Sequence, residues 1–327
     1  MDSRPRLRGF ALLLFVFGLV SGVLMAPSAA QSPETLLAEG KADAAIAALK
    51  NRVTSSPNDA EAYHLLGRAY YSIQDWDHAI SAGEKAVSLS PDKSNYHLWL
   101  GRAYGEKADA SSFFSAAGLA KKVRASFERA VELDGSNVQA RSDLAEFYME
   151  APGVMGGGQD KARAQAEALL KIAPAKGHWV LGRLAEKNKD NAAAEHEFKA
   201  ALDATHSGAE GWLDLAIFYH RAGRMADLDS AIEKLNAAPL KNPDVLVDAA
   251  ITLLRSEHNL PMAAQLLKRY LAGKTVEEAP AFRAHTFLGT VYEKQGDKKA
   301  AAAEFQAALA LASTYKPARD GMKRVGA

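Results

Sequence analysis

Leu66-Gly67-Arg68-Ala69-Tyr70 is followed thirty-four residues later by Leu100-Gly101-Arg102-Ala103-Tyr104, and looser copies stand at Leu181-Gly182-Arg183 and Leu288-Gly289-Thr290-Val291-Tyr292. A fixed period of this length marks one supersecondary unit used repeatedly, each copy too small to bury its apolar face except against its neighbours. Around each copy the apolar residues fall at helical spacing, so the unit reads as two antiparallel helices. Gly67 and Ala79 let the two helices approach closely, while Tyr63, Leu66 and Tyr70 fill the space between them. A chain of 327 residues otherwise suggests about two domains. A stacked array overrides that expectation, because it grows as one body.

With a large residue, Leu-Gly, Tyr, then Ala and often Pro in order, the chain resembles the tetratricopeptide repeat family over roughly residues 33 to 325. That resemblance implies an all-α fold, a right-handed superhelix (α-solenoid) of antiparallel helix pairs, and a function known only as a class, a surface that binds other proteins. The expected organisation is a leader over 1–30, a partial repeat over 31–59, an array of about seven repeats over 60–315, and a capping helix and tail over 316–327. Full repeats are expected to begin near Ala60, Ser94, Val138, Ala175, Ala209, Asp244 and Phe282; the Asp244 unit keeps helical spacing but lacks Leu-Gly. The polar helix opened by Lys316-Pro317 reads as the solubilising cap such arrays need.

Arg4, Arg6 and Arg8 precede an apolar run from Phe10 to Met25, and Pro27-Ser28-Ala29-Ala30 supplies small residues, the pattern of an export signal cleaved between Ala30 and Gln31. An uncleaved anchor is the alternative, since the run approaches a spanning length. Cleavage leaves no membrane span and a periplasmic or secreted protein. There is no cysteine, which excludes disulfides, thiolate chemistry and a lipidated N-terminal cysteine. Removing 1–30 takes Lys+Arg from 40 to 37 and Asp+Glu from 39 to 38, so the remainder is close to neutral. Nucleic acid is not an expected partner, because its binding needs a concentrated basic surface.

The period is broken twice. Tyr104 is followed by Ala130 at a distance of 26, where Tyr70 to Ala86 spans 16, and the next repeat gains about five residues around Pro152-Gly153-Val154-Met155-Gly156-Gly157-Gly158. These insertions, near 105–122 and 150–161, fall at equivalent turns of adjacent repeats and are expected to meet on one edge. Phe113, Phe114, Val154 and Met155 are the candidate contacts there. The glycine cluster fits neither nucleotide fingerprint and reads as a hinge or tight turn. Residues 95 to 175 are similar to a subgroup of exported bacterial family members without assigned activity.

No catalytic constellation is present. His196-Glu197 is followed by Phe198-Lys199-Ala200, which fails the zinc-protease pattern, and no Gly-x-Ser-x-Gly elbow occurs. The nine histidines are scattered, so neither a metal nor another cofactor is expected and the protein reads as no enzyme. In the family the first helix of every repeat lines the concave groove. Carrying its groove positions over, the resemblance implies a binding surface of His64, Arg68, Tyr71, Asn95, Arg102, Trp179, Arg183, Lys187, His220 and Arg221. Two outcomes stand open for the arginines: they grip an extended acidic or C-terminal peptide, or Glu106, Glu146, Glu150 and Glu186 neutralise them internally.

The expected function is a periplasmic adaptor or scaffold that binds a protein or peptide through the groove and the insertion edge. The alternatives are a polysaccharide- or peptidoglycan-handling accessory of an envelope complex, for which Trp99, Trp179 and Trp212 are available, and a peptide-gripping helper of cytochrome maturation.

Overall fold

The computed structural model describes residues 31–326, so the expected leader and its cleavage site lie outside the described residues. A short pair, α1 (Pro33–Ala38) and α2 (Ala42–Ser55), opens the array. Seven longer pairs follow: α3 (Ala60–Ser72) with α4 (Trp76–Leu89), α5 (Ser94–Asp109) with α6 (Phe113–Leu133), α7 (Val138–Glu150) with α8 (Gln159–Ile172), α9 (Pro174–Lys187) with α10 (Asn191–Ala204), α11 (Ala209–Arg221) with α12 (Met225–Ala237), α13 (Val245–Arg255) with α14 (Leu260–Leu271), and α15 (Ala281–Lys294) with α16 (Lys298–Leu311). The last helix is α17 (Lys316–Val325). Among the described residues the only extended pairing is an isolated bridge between Val276 and Ala279, and no helix is long and apolar enough to cross a membrane.

Several helices start where a side chain satisfies an otherwise orphaned N–H. Asp75, Asp190 and Asp297 accept from the backbone of His78, Ala193 and Ala300 at the start of second helices, and Asp59 and Asn137 from Ala62 and Ala140 at the start of first helices. Each such cap is worth about 1 kcal/mol.

The Leu-Gly signature has a steric cause. A Cβ on Gly101, Gly182 or Gly289 would stand 2.6–2.9 Å from a ring carbon of Phe127, Phe198 or Phe305 on the partner helix. Phe198 and Phe305 are fully buried, so the ring has nowhere to retreat. Gly182→Val is therefore expected to cost about 1–3 kcal/mol in chemical denaturation. Gly105→Ala, where nothing lies within 4 Å, is expected to be neutral or stabilising by about 0.5–1 kcal/mol.

The signature tyrosine has a second role that spacing did not show. Lys50, Lys122, Lys161, Arg224 and Lys268 sit over the rings of Tyr70, Tyr104, Tyr148, Tyr219 and Tyr292 at 4.6–5.9 Å. Three of these tyrosines donate from the hydroxyl to a glutamate on the second helix of the preceding repeat: Tyr104 to Glu84, Tyr148 to Glu128 and Tyr219 to Glu195. The residue that packs a hairpin thus also fixes its register on the hairpin before it.

The first insertion is helix and not loop. α5 and α6 run for 16 and 21 residues where α3 and α4 run for 13 and 14, so the added chain lengthens both helices and carries the hairpin tip outward. Phe113 and Phe114 are the first two residues of α6. The second insertion is a tight turn: Gly153–Met155 form one 3-10 turn, Gly156 follows with φ +94°, and Gly158 donates its N–H back to the Tyr148 carbonyl at 2.8 Å. Gly156 lies so close to Arg124 of α6 that a Cβ would overlap the guanidinium. The turn therefore packs onto the lengthened hairpin.

Successive first helices touch one another along the array, which places them on the inner, concave side. The curvature is tight enough that the two ends meet. Leu36, Leu37, Ala42 and Leu49 share one core with Phe282, Ala308, Ala312, Tyr315 and Ala318. At this seam Thr275 Oγ1 donates to the Ala38 carbonyl at 3.0 Å, and the Ser313 N–H donates to Asp43 Oδ2 at 2.8 Å. The α1–α2 turn lies against the start of α15, so the superhelix makes a single turn closed edge to edge. Helix α17 packs on α15 and α16, and its Ala318 belongs to the same core cluster.

Candidate binding groove

The inner face is lined by ion pairs between neighbouring first helices. Arg102 Nε donates to Asp143 Oδ2 on α7 at 2.6 Å. Arg183 lies 3.4 Å from both Glu150 and Glu186 and 3.8 Å from Glu146, and Lys187 Nζ reaches Glu150 at 2.9 Å. Arg221 makes a two-pronged contact with Glu186 at 2.9 and 2.6 Å. Three of the four carboxylates expected to neutralise the arginines do so, whereas Glu106 instead accepts from the Tyr71 hydroxyl at 3.2 Å. Glu146 and Glu150 are about half exposed, and pairs of that kind contribute about 0–1 kcal/mol each, so they are exchangeable with a partner's charges.

Arg68 departs from the pattern. Its partner is Glu277, 209 residues on in the linker before α15, bound through Nε at 2.8 Å and Nη2 at 2.7 Å. Arg68 and Arg102 both lie over the ring of Trp99, at 4.8 and 4.9 Å, and Tyr71 packs edge-on against Trp99 and Trp76. Arg68, Tyr71, Trp99 and Glu277 line, with Arg255 and Arg283, a cavity of about 380 Å³ between the two ends of the array.

The remaining candidates divide. Trp179 is half-buried with Lys176 and Arg183 at 5.6 Å from its ring, and belongs with Lys187 and Arg221. His64 is turned into the core, 5% exposed and stacked on Tyr96 at 4.4 Å; burial, reinforced by Arg68, pushes its pKa down to about 3. Asn95 accepts from Asn137 at 3.1 Å at the junction of two repeats. His220 stands apart, its Nδ1 buried without a hydrogen-bond partner. On the insertion edge Val154 is 86% exposed and Met155 half-buried. Other histidines pair singly with carboxylates, His178 with Glu197 and His285 with Glu304, and the described residues contain no group of three or more potential metal ligands.

Two features went unread in the sequence. The linker Ala272–Pro280 and its Glu277 fall between signature positions, and no period marks them. A second cavity of about 900 Å³ is walled by Glu210, Asp214, Asp244 and Asp248. Burial raises the Asp214 carboxyl to about 6 and also raises Asp244 and Asp248. They belong to two adjacent repeats, Glu210 and Asp214 on α11 and Asp244 and Asp248 at the start of α13, and the stacking of these first helices brings them together.

Two family models, both described as tetratricopeptide repeat, match the chain, one over residues 36–97 and the other over 179–244 and 247–316. The unmatched stretch 98–178 holds both lengthened turns. Among solved structures, the yeast Tom70 structure is similar at 15% identity and a TM-score of 0.53, covering 91% of this chain and 64% of that one. A MamA structure is 25% identical with a TM-score of 0.42, covering 51% of this chain and 90% of that one. A thermophilic tetratricopeptide repeat protein of Thermus thermophilus is 18% identical with a TM-score of 0.44, covering 68% and 97%. No curated protein sequence matches the chain.

Proposed function

The chain belongs to the tetratricopeptide repeat family, a scaffold for binding other proteins, and from that premise we propose that it is an exported adaptor that holds an extended protein segment along its concave face. One observation carries the reading. The inner face is a ladder of alternating cations and carboxylates, Arg102–Asp143, Arg183–Glu150 and Arg221–Glu186, supplied by α5, α7, α9 and α11. A segment bearing both charged side chains and backbone groups can exchange with such pairs one at a time, losing little at each step. A polyanion would meet as many carboxylates as arginines. The projecting α5–α6 hairpin and Val154 offer a second contact on the edge.

The polymer-handling alternative needs an aromatic face open to a sugar ring. Trp99, Trp179 and Trp212 each carry a cation within 5.6 Å of the ring centre, which occupies a face that stacking requires. This favours the protein reading. Export is the placement that the expected leader supports.

The test is photo-crosslinking in living cells from Trp179 in the groove and Val154 on the edge, with the Arg102→Glu variant alongside. Capture of an envelope protein at the groove, reduced several-fold by Arg102→Glu, is the expected result. Unchanged recovery from Arg102→Glu, or capture of glycan alone, would count against it.

A further inference from the structure

The link between α14 and α15 is nine residues, Ala272–Pro280, whereas the links α2–α3, α4–α5, α6–α7, α10–α11 and α16–α17 are each four. The extra residues are not slack. Tyr270, 1% exposed, donates its hydroxyl to the Ala279 carbonyl and accepts from the Val276 N–H at 2.9 Å. With the Val276–Ala279 bridge, this gathers the linker into a tongue with Glu277 and Glu278 at its tip. The tongue reaches into the first repeat's part of the groove. There the Glu277 carboxylate takes both Nε and Nη2 of Arg68, with the two side chains 15% and 22% exposed. Thr275 ties the same tongue to α1 through the Ala38 carbonyl.

This contact differs in kind from the rest of the ladder. Arg102, Arg183 and Arg221 are matched by carboxylates on neighbouring first helices. Arg68 is matched by a carboxylate on a linker from the far end of the array. An acidic side chain presented at the tip of a tight turn, two-pronged on a groove arginine beside Trp99, makes the side-chain contact that an acidic residue of a bound segment would make.

We propose that the tongue 272–280 is an internal competitor for the groove. It holds Arg68 in place of a partner's acidic side chain, and a partner binds by displacing it and loosening the seam to α1. This rests on the groove reading above and adds its regulation. Because the tongue is tethered, its effective concentration is on the order of millimolar, and partner affinity is reduced by the fraction of molecules in which the tongue is docked.

The experiment uses a fluorescein-labelled extended peptide carrying both glutamate and lysine as probe and the chain from Gln31 onward, with helicity checked by circular dichroism. The double variant Glu277→Gln, Glu278→Gln is expected to bind the probe about tenfold more tightly than wild type, and adding Arg68→Gln is expected to abolish the gain. A second variant works in the opposite direction. The natural chain has no cysteine, so the Ala38→Cys, Thr275→Cys pair, joined by a short bis-maleimide, locks the tongue and is expected to lower affinity at least tenfold relative to the same variant unlinked. Equal binding by wild type, the glutamine variant and the locked form, with Arg102→Glu still weakening it, would overturn the competitor role and leave the groove reading intact. No binding by any form would overturn both.

Discussion

Gly40→Val is expected to open the closed turn while leaving the helices formed. Gly40 has φ +69°, a conformation that costs a β-branched residue about 1–2 kcal/mol by itself. The larger effect is steric. An added Cβ would lie 2.5 Å from the Ala281 backbone nitrogen and 3.2 Å from the Pro280 carbonyl carbon, and neither can rotate away as a side-chain tip would. The α1–α2 turn must therefore withdraw from α15, taking Leu36 and Leu37 from the core they share with Phe282 and Tyr315. Each large side chain removed from that core forfeits about 1.5–3 kcal/mol, so the seam does not survive the loss of several. Small-angle scattering should report a larger radius of gyration, with far-ultraviolet circular dichroism almost unchanged. An unaltered scattering curve would mean that the turn accommodates the side chain and that the seam is not held there.

The second large effect is acid sensitivity carried by His64. Stacked on Tyr96 in the core and close to Arg68, it is neutral in the folded chain, with its pKa pushed down to about 3 from 6.5. The sign follows from linkage. Between those values the unfolded chain takes up a proton that the folded chain refuses, so His64's contribution is complete above pH 6.5 and is lost as pH falls toward 3. Its full size is on the order of 5 kcal/mol. His64→Gln, which cannot charge, should lose stability at pH 7 through poorer packing yet fall less steeply than wild type between about pH 6.5 and 4. Denaturant titrations at several pH values decide it, and parallel slopes for the two proteins would sink the assignment. Asp214 acts in the opposite sense. Its raised carboxyl favours the folded state below about pH 6 and leaves part of the His64 effect masked in the wild-type titration.

How much was legible follows from how local each cause is. Leu66-Gly67 and its copies specify the hairpin because a glycine and what it receives, the α4 backbone at Ala79 and Gly83 for Gly67 and a phenylalanine ring for Gly101, Gly182 and Gly289, belong to one helix pair, and the period repeats that arrangement where it can be read. The groove arginines were legible by position for the same reason. Their partners were legible only where they lie on an adjacent repeat, as for Arg183 with Glu150 and Arg221 with Glu186. The insertion after Tyr104 was visible as a count of residues. That it lengthens two helices was not, since a helix extended by whole turns and a loop of equal length differ little in spacing.

The sequence alone determined the helix-pair unit and the side of each helix that packs, because each of these depends on contacts within one repeat and its neighbour. Only the tertiary structure decided that the array closes after one turn, that α1 meets α15, and that Glu277 rather than a neighbour answers Arg68. Those outcomes come from small rotations summed over eight stacked hairpins. A slight change of angle at each junction, set by packing that no single repeat displays, is enough to separate an open superhelix from one whose ends touch.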